Sequence, residues 1–364
     1  MQGIVLHADA KAAGGEYGEV EVTDDLELTA ELGARDVRVR IEAAGVCGSD
    51  LSLAAGKYFI PTPLVMGHEG AGVVVEIGEA VTACEVGDHV ILSTLNNCGH
   101  CTVCERGNPT LCGNPRAEWR SPFTLRGELI SQFAQTSCFA EETIVREHQA
   151  VPIPKEVPFQ AAALIGCGVI TGAGAIFNRA KVAIGDTVAV VGAGGVGLST
   201  IQAAKLSGAS RIIALDVVPE KEVLARDFGA TDFCLGASDP AAAVREILPD
   251  GVDHAVEAVG SPALLRSCID MVANGGNIVQ LGMADLDADA SYTMYSLNQN
   301  KSILGCRYGA ARPRADFPML ADLYLQGKLK LDEMISGVTN FEGIFDAFEG
   351  VKAGRVARTV LVPS

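Results

Sequence analysis

Four cysteines lie close together in a stretch rich in Gly, Asn and Pro. They follow the spacing C-x2-C-x2-C-x7-C and are Cys98, Cys101, Cys104 and Cys112. Four thiolates at this spacing can close a tetrahedron around zinc, and such a closed site is structural because no position remains for a substrate. The alternative is an iron–sulfur cluster, whose ligand run continues C-x3-C-P. Because seven residues intervene here and a glycine follows the last cysteine, zinc is favoured.

A glycine-rich pattern indicates a second kind of chemistry. Gly192, Gly194 and Gly197 form G-x-G-x-x-G directly after the apolar segment TVAVV, and a predicted helix begins near Gly195. The first glycine permits a tight turn, the second lets the backbone approach a pyrophosphate, and the third lets the helix pack against the strand. Free N–H groups at the helix N-terminus bind the anion. The pattern therefore predicts dinucleotide binding rather than an ordinary strand-to-helix turn.

An acidic residue sets the expected choice of dinucleotide. Asp216 ends the next apolar segment, nineteen positions after Gly197, where a carboxylate binds the adenosine ribose hydroxyls. The same charge repels the 2′-phosphate of NADP, so NAD is favoured. Lys221 is a further candidate for contact with this ribose.

Three more residues with metal-binding side chains come from separate parts of the chain. They are Cys47 in GVCGSD, His68 in GHEGAG and Cys167 in IGCGVITG. Each alone is weak evidence, because a histidine beside an acid is more often a satisfied polar residue and a cysteine in an apolar run is usually part of a core.

These residues fall in regions of different secondary structure. Up to about residue 150, short β-rich segments (37–43, 70–77, 89–92 and 139–145) separated by Gly and Pro predict a partly open antiparallel barrel. From about 187, apolar strands alternate with helical stretches and predict a parallel doubly wound sheet. After about 309, helices and a strand at 358–362 follow, so the sheet domain is expected to be inserted. Val151–Pro158, with three prolines, is expected to be the extended crossing between the halves.

Composition excludes several classes of function. A formal net charge of -17 argues against a nucleic-acid partner, which needs clustered Lys and Arg. We expect no apolar run near the ~20 residues that cross a bilayer, and no basic leader with an apolar stretch at the N-terminus. The protein is therefore predicted to be cytoplasmic, with no membrane partner. The remaining cysteines are expected to be small buried hydrophobes; they are Cys84, Cys138, Cys234, Cys268 and Cys306.

Over essentially its whole length, the chain resembles the zinc-dependent alcohol dehydrogenases of the medium-chain superfamily. The motifs that carry the resemblance are GVCGSD, GHEGAGVVVEIGEAV, the segment with Cys98, Cys101, Cys104 and Cys112 (the four-cysteine lobe), GCGVITGAGA, VVGAGGVGLS and ARTVL, in the family's order. The resemblance implies a barrel-like, β-rich catalytic domain of the GroES-like type with an inserted Rossmann domain. We place the catalytic domain at 1–169 plus 308–364 and the dinucleotide-binding domain at 170–307.

The resemblance also implies a catalytic zinc at Cys47, His68 and Cys167, besides the structural zinc, so that each subunit holds two. Alcohol dehydrogenase is itself the known example of a catalytic Cys2His site with one open position. Zinc there acts as a Lewis acid that lowers the pKa of a bound alcohol, and a hydride passes to NAD. The substrate is a primary or secondary alcohol, or the aldehyde or ketone in reverse, and the protein is expected to be a homodimer or homotetramer.

Roles for neighbouring residues follow from the same resemblance. Ser49 takes the hydroxyl proton, Asp50 hydrogen-bonds the free nitrogen of the ligand histidine, and Glu69 is a polar support near the metal. Arg358 reaches the cofactor pyrophosphate, with a surface salt bridge as the alternative. Tyr58 and Thr94 are expected to line the substrate pocket, and Asn114–Ser137, which contains Trp119, is expected to be either a lid or an ordinary surface loop.

Two departures from a well-studied branch of the family remove positive or titratable side chains near the first ligand cysteine, and the second leaves the proton-relay group unidentified. Gly48 stands where that branch has a basic residue, and Ser52 stands where it has a proton-relay histidine.

Other reactions of the same architecture remain alternatives. Thiol-adduct formaldehyde dehydrogenases have a similar GCGV segment, polyol and sugar dehydrogenases usually replace the third ligand with a carboxylate, and quinone or enoyl reductases lack these ligands. A non-catalytic nucleotide-sensing protein would be expected to have lost ligands, and none is lost.

Overall fold

The structure of the protein is a computed structural model that describes residues 1–28, 31–58, 60–113, 121–354 and 357–364. The β-strands in these residues are β1 Gly3–Ala8, β2 Glu19–Thr23, β3 Leu26–Leu28, β4 Asp36–Val46, β5 Leu64–Val65, β6 Glu69–Ile77, β7 His89–Leu92, β8 Phe123–Leu125, β9 Glu128–Leu129, β10 Ser131–Gln132, β11 Glu142–Arg146, β12 Ala150–Pro152, β13 Thr187–Val191, β14 Arg211–Asp216, β15 Asp232–Leu235, β16 Val252–Glu257, β17 Val272–Gln280, β18 Ser302–Gly305, β19 Ile335–Thr339 and β20 Arg358–Leu361. The α-helices are α1 Ala10–Ala13, α2 Gly48–Ala54, α3 Thr102–Glu105, α4 Phe159–Leu164, α5 Ile170–Gly174, α6 Gly195–Leu206, α7 Lys221–Phe228, α8 Pro240–Ile247, α9 Pro262–Met271, α10 Pro313–Leu325 and α11 Ile344–Lys352.

The first compact unit consists of Met1–Cys167 and Arg312–Ser364. Its main sheet has the strand order β12-β7-β6-β4-β20-β19, with β11 also paired to β4, and smaller sheets have the orders β10-β5-β1-β2 and β3-β8-β9. Most pairings are antiparallel, as predicted for this region. Apolar side chains from the first two of these sheets and from α11 form one continuous core, and their burial is the main source of stability for such a unit. The β3-β8-β9 sheet contributes to a second, smaller core.

Strands β4 and β6 position the first part of the site. They pair antiparallel, with Gly45 opposite Glu69. A Cβ at Gly45 would lie 2.4 Å from Oε2 of Glu69. Glycine at this position therefore leaves room for a buried carboxylate between the strands.

The second unit, Gly168–Ala311, contains the predicted parallel sheet. Its order is β15-β14-β13-β16-β17-β18, and all five pairings are parallel. The order reverses between β13 and β16, and in such sheets a crevice opens at the carboxyl ends of the strands at that point. The predicted fold class is confirmed. The predicted inserted domain, 170–307, begins two residues after this unit begins and ends four residues before it ends.

The expected crossing at Val151–Pro158 is wrong. Ala150–Pro152 is a strand that pairs antiparallel with β7 inside the first unit, and the units divide instead after Cys167. Because β12 is an edge strand, a proline is tolerated there without loss of an essential ladder hydrogen bond. The prolines of this segment therefore do not mark a linker between the two units.

The expectation about apolar runs is also wrong. Phe159–Ala180 forms a continuous helical segment of 22 residues, long and apolar enough by length and composition to cross a membrane. However, 78% of its apolar window is buried inside the protein. This is the pattern of a core helix, which sequence length alone does not distinguish from a spanning one.

Candidate metal and cofactor sites

The turn between β4 and α2 places one metal-binding thiol. Cys47 is the N-cap residue of α2, with an extended backbone, and its N–H donates to Oδ2 of Asp50 at 2.9 Å. The other oxygen of Asp50 lies 3.0 Å from Nδ1 of His68. One buried carboxylate thus fixes both the Cys47 turn and the histidine ring, and the resemblance implied the second of these contacts.

The other ring nitrogen of His68 is left for a ligand. Nε2 is buried and has no hydrogen-bond partner among the described residues. A buried imidazole nitrogen without a partner is costly, and a metal ion removes that cost. With Nδ1 held by a carboxylate, Nε2 is the nitrogen oriented toward the neighbouring thiols.

A π-helical turn, Ile165–Val169, carries Cys167. Such turns insert an extra residue into a helix and often occur at functional sites. The preceding Gly166 allows close packing, because a Cβ there would lie 2.9 Å from the carbonyl oxygen of Leu92. The donor atoms of Cys47, His68, Glu69 and Cys167 all lie within 4.8 Å of one another. Two thiols and a free imidazole nitrogen fit zinc, which prefers sulfur and nitrogen ligands.

Electrostatic contacts favour the ionised form of one thiol. The hydrogen bond with Cys167, aided by the Arg358 guanidinium, holds the pKa of Cys47 well below its usual range although burial acts in the opposite direction. Nη2 of Arg358 lies 3.7 Å from Sγ of Cys47. A thiolate is the form that binds metal.

Arg358 forms a buried ion pair with Glu69, so the alternative of a surface salt bridge is wrong. The two side chains are 6% and 0% exposed. Burial raises the pKa of Glu69 to about 7, and the attraction of Arg358 limits that rise. The implied contact between Arg358 and a pyrophosphate stays a prediction.

Aromatic rings and a hydroxyl lie beside the cluster. Tyr58 forms a side-chain hydrogen bond with Ser49, and burial raises the pKa of its phenol. The Tyr58 ring lies 5.9 Å from that of Phe133, and Phe133 packs edge-on against His68 at 5.2 Å. Thr94 is partly buried two residues after β7.

Sequence reasoning missed Phe133 as a neighbour of the metal cluster. The residue lies in the segment expected to be a lid or loop, whose residues 114–120, including Trp119, lie outside the described part of the chain. The backbone after Phe133 is unusual because Ala134, Gln135 and Ser137 have φ values of 51°, 59° and 45°. Such strain concentrates at functional sites. It could not be predicted from the sequence, because none of the three residues is glycine.

The four-cysteine lobe has the spacing of a second metal site. The Sγ atom of Cys101 lies 3.5 Å from that of Cys104 and 3.8 Å from that of Cys112, and Cys112 lies 3.7 Å from Cys98. Four sulfurs in a tetrahedron with Zn–S bonds of about 2.3 Å are separated by about 3.8 Å. The lobe therefore fits zinc with all four positions filled.

In the second unit, each of the three glycines of the glycine-rich loop has a different local environment. Gly192 has a φ of +96°, in the left-handed region, and a Cβ at Gly197 would lie 1.7 Å from the Gly192 carbonyl oxygen. Gly194, the N-cap of α6, has no atom within 4 Å of a Cβ position. The first and third glycines serve the turn and the packing, and the second leaves open space where a pyrophosphate can approach the helix.

Asp216 is the last residue of β14. Its carboxylate is hydrogen-bonded both to the glycine-rich loop and to the residues that follow β14. Its Oδ2 accepts hydrogen bonds from the Ala193 N–H at 2.7 Å and the Lys221 Nζ at 2.9 Å. Its Oδ1 accepts from the N–H groups of Val217 and Val218 at 2.8 and 3.0 Å. The structure thus brings both sequence-predicted residues, Asp216 and Lys221, together beside the glycine-rich loop.

The remaining cysteines separate into buried and partly buried groups. Cys84, Cys138 and Cys268 are buried, as expected, whereas Cys234 and Cys306 are only partly buried. Burial raises the pKa of Cys84 and Cys306 to about 11. None of the five belongs to either metal cluster found among the described residues.

Comparison with known proteins gives consistent matches over the chain. The family described as alcohol dehydrogenase GroES-like domain matches residues 33–155, and the family described as zinc-binding dehydrogenase matches residues 195–326. S-(hydroxymethyl)glutathione dehydrogenase from Synechocystis sp. is 34% identical over 343 residues, which cover 90% of this chain and 92% of that protein. The Escherichia coli protein of the same name is 34% identical over 340 residues, with the same two coverages.

Solved structures are also similar to this chain over nearly their whole length. Benzyl alcohol dehydrogenase from Acinetobacter calcoaceticus has a TM-score of 0.91 and 33% identity, covering 100% of this chain and 99% of that chain. An alcohol dehydrogenase zinc-binding domain protein from Burkholderia ambifaria has the same score and identity, covering 100% and 98%.

Proposed function

The chain belongs to the zinc-dependent, NAD-dependent alcohol dehydrogenases of the medium-chain type, and from that premise we propose roles for its site residues and a substrate class. The observation that carries the proposal is the cluster of Cys47, His68 and Cys167, in which a buried imidazole nitrogen has no hydrogen-bond partner among the residues that the structure describes.

Cys47, His68 and Cys167 would hold the catalytic zinc, and the four-cysteine lobe would hold the structural zinc. When bound, zinc supplies a Lewis acid that lowers the pKa of an alcohol hydroxyl, and NAD supplies the hydride acceptor. Asp50 keeps the His68 proton on Nδ1, which leaves Nε2 free as a ligand. Glu69 and Arg358 form an ion pair beside Cys47, and Arg358 contacts the Cys47 sulfur.

Ser49 would accept the proton of the alcohol hydroxyl. Its side chain forms a hydrogen bond with Tyr58. His68 is the only histidine in either metal cluster of the described residues, and the other five are His7, His89, His100, His148 and His254. With Ser52 at the position of the usual relay histidine, the proton would leave through hydroxyl groups and water.

In the second unit, Gly194 and the N-terminus of α6 would bind the pyrophosphate. Gly192, Gly195 and Gly197 would shape that loop, and the Asp216–Lys221 pair would bind the adenosine ribose. The negative charge of Asp216 supports a preference for NAD over NADP.

The proposed substrates are primary or secondary alcohols, with aldehydes or ketones in the reverse direction, and Tyr58 and Thr94 are proposed to line the pocket. Thiol-adduct formaldehyde oxidation is a second candidate, because two relatives at 34% identity are S-(hydroxymethyl)glutathione dehydrogenases. We further propose a cytoplasmic homodimer or homotetramer, testable by fractionation and analytical ultracentrifugation.

A substrate panel separates the two candidates. NADH formation is measured for the zinc-loaded protein with ethanol, benzyl alcohol, longer and secondary alcohols, and formaldehyde plus glutathione, and the reverse reaction with the corresponding aldehydes and ketones. We expect the highest kcat/KM for an alcohol and none for a Cys167→Ser control that keeps the structural zinc. A higher kcat/KM for the glutathione adduct would favour the second candidate. If no compound supports turnover of zinc-loaded protein, the proposed function is wrong.

A further inference from the structure

A buried carboxylate at the carboxyl end of β16 has no role in the site described above. Glu257 is the last residue of β16 and is 1% exposed. Its Oε1 accepts hydrogen bonds from the backbone N–H groups of Val259 at 3.0 Å, Gly260 at 2.9 Å and Ser261 at 3.3 Å. Oε2 lies 3.1 Å from the same Gly260 nitrogen. Three consecutive N–H groups therefore converge on one side chain.

These N–H groups immediately precede α9. Ser261 is the N-cap of that helix, and its hydroxyl accepts from the Leu264 N–H at 3.4 Å. Three converging N–H groups before a helix form a place where an anion is favourable. Because the Glu257 carboxylate already fills this place, its contribution is to hold the loop 258–261 in one conformation.

The loop borders the proposed dinucleotide site. Glu257 is in register with Val191 of β13, and the Ala258 N–H donates to the Val191 carbonyl at 3.0 Å. Val259 then approaches the glycine-rich loop, because a Cβ at Gly192 would lie 2.7 Å from its Cγ2. The loop 258–261 therefore lies on the β16 side of the point where the strand order reverses.

The backbone of Glu257 also fixes a third loop. Its carbonyl oxygen accepts from the N–H groups of Leu281 at 3.0 Å and Gly282 at 2.8 Å, directly after β17. Gly260 and Gly282 pack closely, since a Cβ at Gly282 would lie 2.0 Å from the Gly260 nitrogen. Side chain and backbone of Glu257 thus connect the loops that follow β16 and β17.

We infer that Glu257 is a positioning residue for the nicotinamide half of NAD, acting through the loop 258–261. A doubly wound sheet binds one mononucleotide on each half. Asp216, on β14, belongs to the half proposed for adenosine, so the loop after β16 belongs to the other half. The inference rests on the proposed function, since it assigns Glu257 to that function's cofactor.

The test compares two ligands and two carboxylates of the same strand. Titration calorimetry measures the affinity of the zinc-loaded protein for AMP, which occupies only the adenosine half, and for NADH. The variants are Glu257→Ala and Glu257→Gln. The control is Asp253→Ala, which removes a carboxylate near the opposite end of β16 that accepts from the N–H and hydroxyl of Thr187 at 2.8 and 2.7 Å.

Glu257→Ala leaves three N–H groups without their acceptor, so we expect NADH to bind about ten- to a hundredfold more weakly while AMP affinity stays within about twofold. Glu257→Gln keeps one acceptor oxygen and should lose less affinity. Asp253→Ala should lower the Tm and leave both affinities unchanged.

Unchanged NADH affinity in a folded Glu257 variant, or an equal loss for AMP and NADH, would overturn the inference while leaving the proposed function standing. If Glu257→Ala does not fold, the glutamine variant decides by the same two affinities. Wild-type protein that binds neither AMP nor NADH would instead overturn the proposed function, and the inference with it.

Discussion

The guanidinium of Arg358 donates to both carboxylate oxygens of Glu69, from Nε and from Nη2, each at 3.1 Å. The two residues are far apart in sequence, and strands β20 and β6 both flank β4 in the main sheet. Desolvation offsets most of the attraction in a buried pair, so the pair as a whole adds little stability. Loss of one partner, however, leaves an uncompensated buried charge.

Arg358→Met should therefore lower the free energy of unfolding by about 3–5 kcal/mol. The double variant Glu69→Gln with Arg358→Met should recover most of that loss, because it leaves no unpaired charge. The penalty in the single variant should be larger at pH 8 than at pH 6, since protonation of Glu69 relieves it. Urea denaturation of zinc-loaded proteins at the two pH values measures these differences. A double variant no more stable than the single one would contradict this account.

The two zinc sites should respond differently to the loss of one thiolate. Cys112→Ser opens the closed lobe, so we expect lower stability and little folded protein. Cys167→Ser leaves the lobe intact, so we expect a folded protein that retains one zinc and has no turnover. Elemental analysis and thermal unfolding of both variants and of wild type, expected to hold two zinc ions, provide the check.

Chelation gives an independent comparison of the same sites. The catalytic site has a free coordination position where a chelator can attack, and the lobe has none, so turnover should fall before the Tm does. Simultaneous loss of both, or iron in place of zinc, would exclude the assignment of the lobe as a closed structural site.

Residues with strict local requirements were predictable from the sequence. The glycine-rich loop follows a strand and opens a helix, so spacing alone placed Gly192, Gly194 and Gly197, and the structure gives each the expected environment. The four cysteines of the lobe are neighbours in sequence as well as in space. Cys47, His68 and Cys167 required the family resemblance, because β4, β6 and a π-helical turn bring them together and no local pattern encodes that meeting.

Other features depended on tertiary structure. The Glu69–Arg358 pair joins two strands through their common neighbour β4, and Phe133 reaches His68 from a strained turn of ordinary residues. The prolines of Val151–Pro158 suggested a linker, but an edge strand accepts them equally well. In each case the deciding contact is between residues that the sequence does not place near one another.

Asp216→Asn should shift the cofactor preference toward NADP. The variant keeps one acceptor oxygen for the surrounding N–H groups, whereas glycine would remove all of them, and it removes the charge that repels a 2′-phosphate. We expect the ratio of kcat/KM for NADP to that for NAD to rise about tenfold or more, equivalent to ~1.4 kcal/mol. Asp232→Asn, on the adjacent strand β15 and paired with Arg211, is the matched control and should leave the ratio unchanged. A constant ratio in Asp216→Asn would show that this carboxylate does not select the dinucleotide.

His148 should make the stability of the protein depend on pH. It lies between β11 and β12, with Nε2 3.0 Å from Oδ1 of Asn96, and burial lowers its pKa to about 4. A histidine in the unfolded chain titrates near pH ~6.5, so between that value and about pH 4 the unfolded state binds a proton that the folded state does not. The stabilising contribution is complete above this window and decreases as the pH falls through it. From pH 7 to pH 5, wild type should therefore lose about 2 kcal/mol more unfolding free energy than His148→Gln. Urea denaturation of both proteins at pH 7, 6 and 5 measures this difference, and parallel curves would show that His148 titrates alike in the folded and unfolded states.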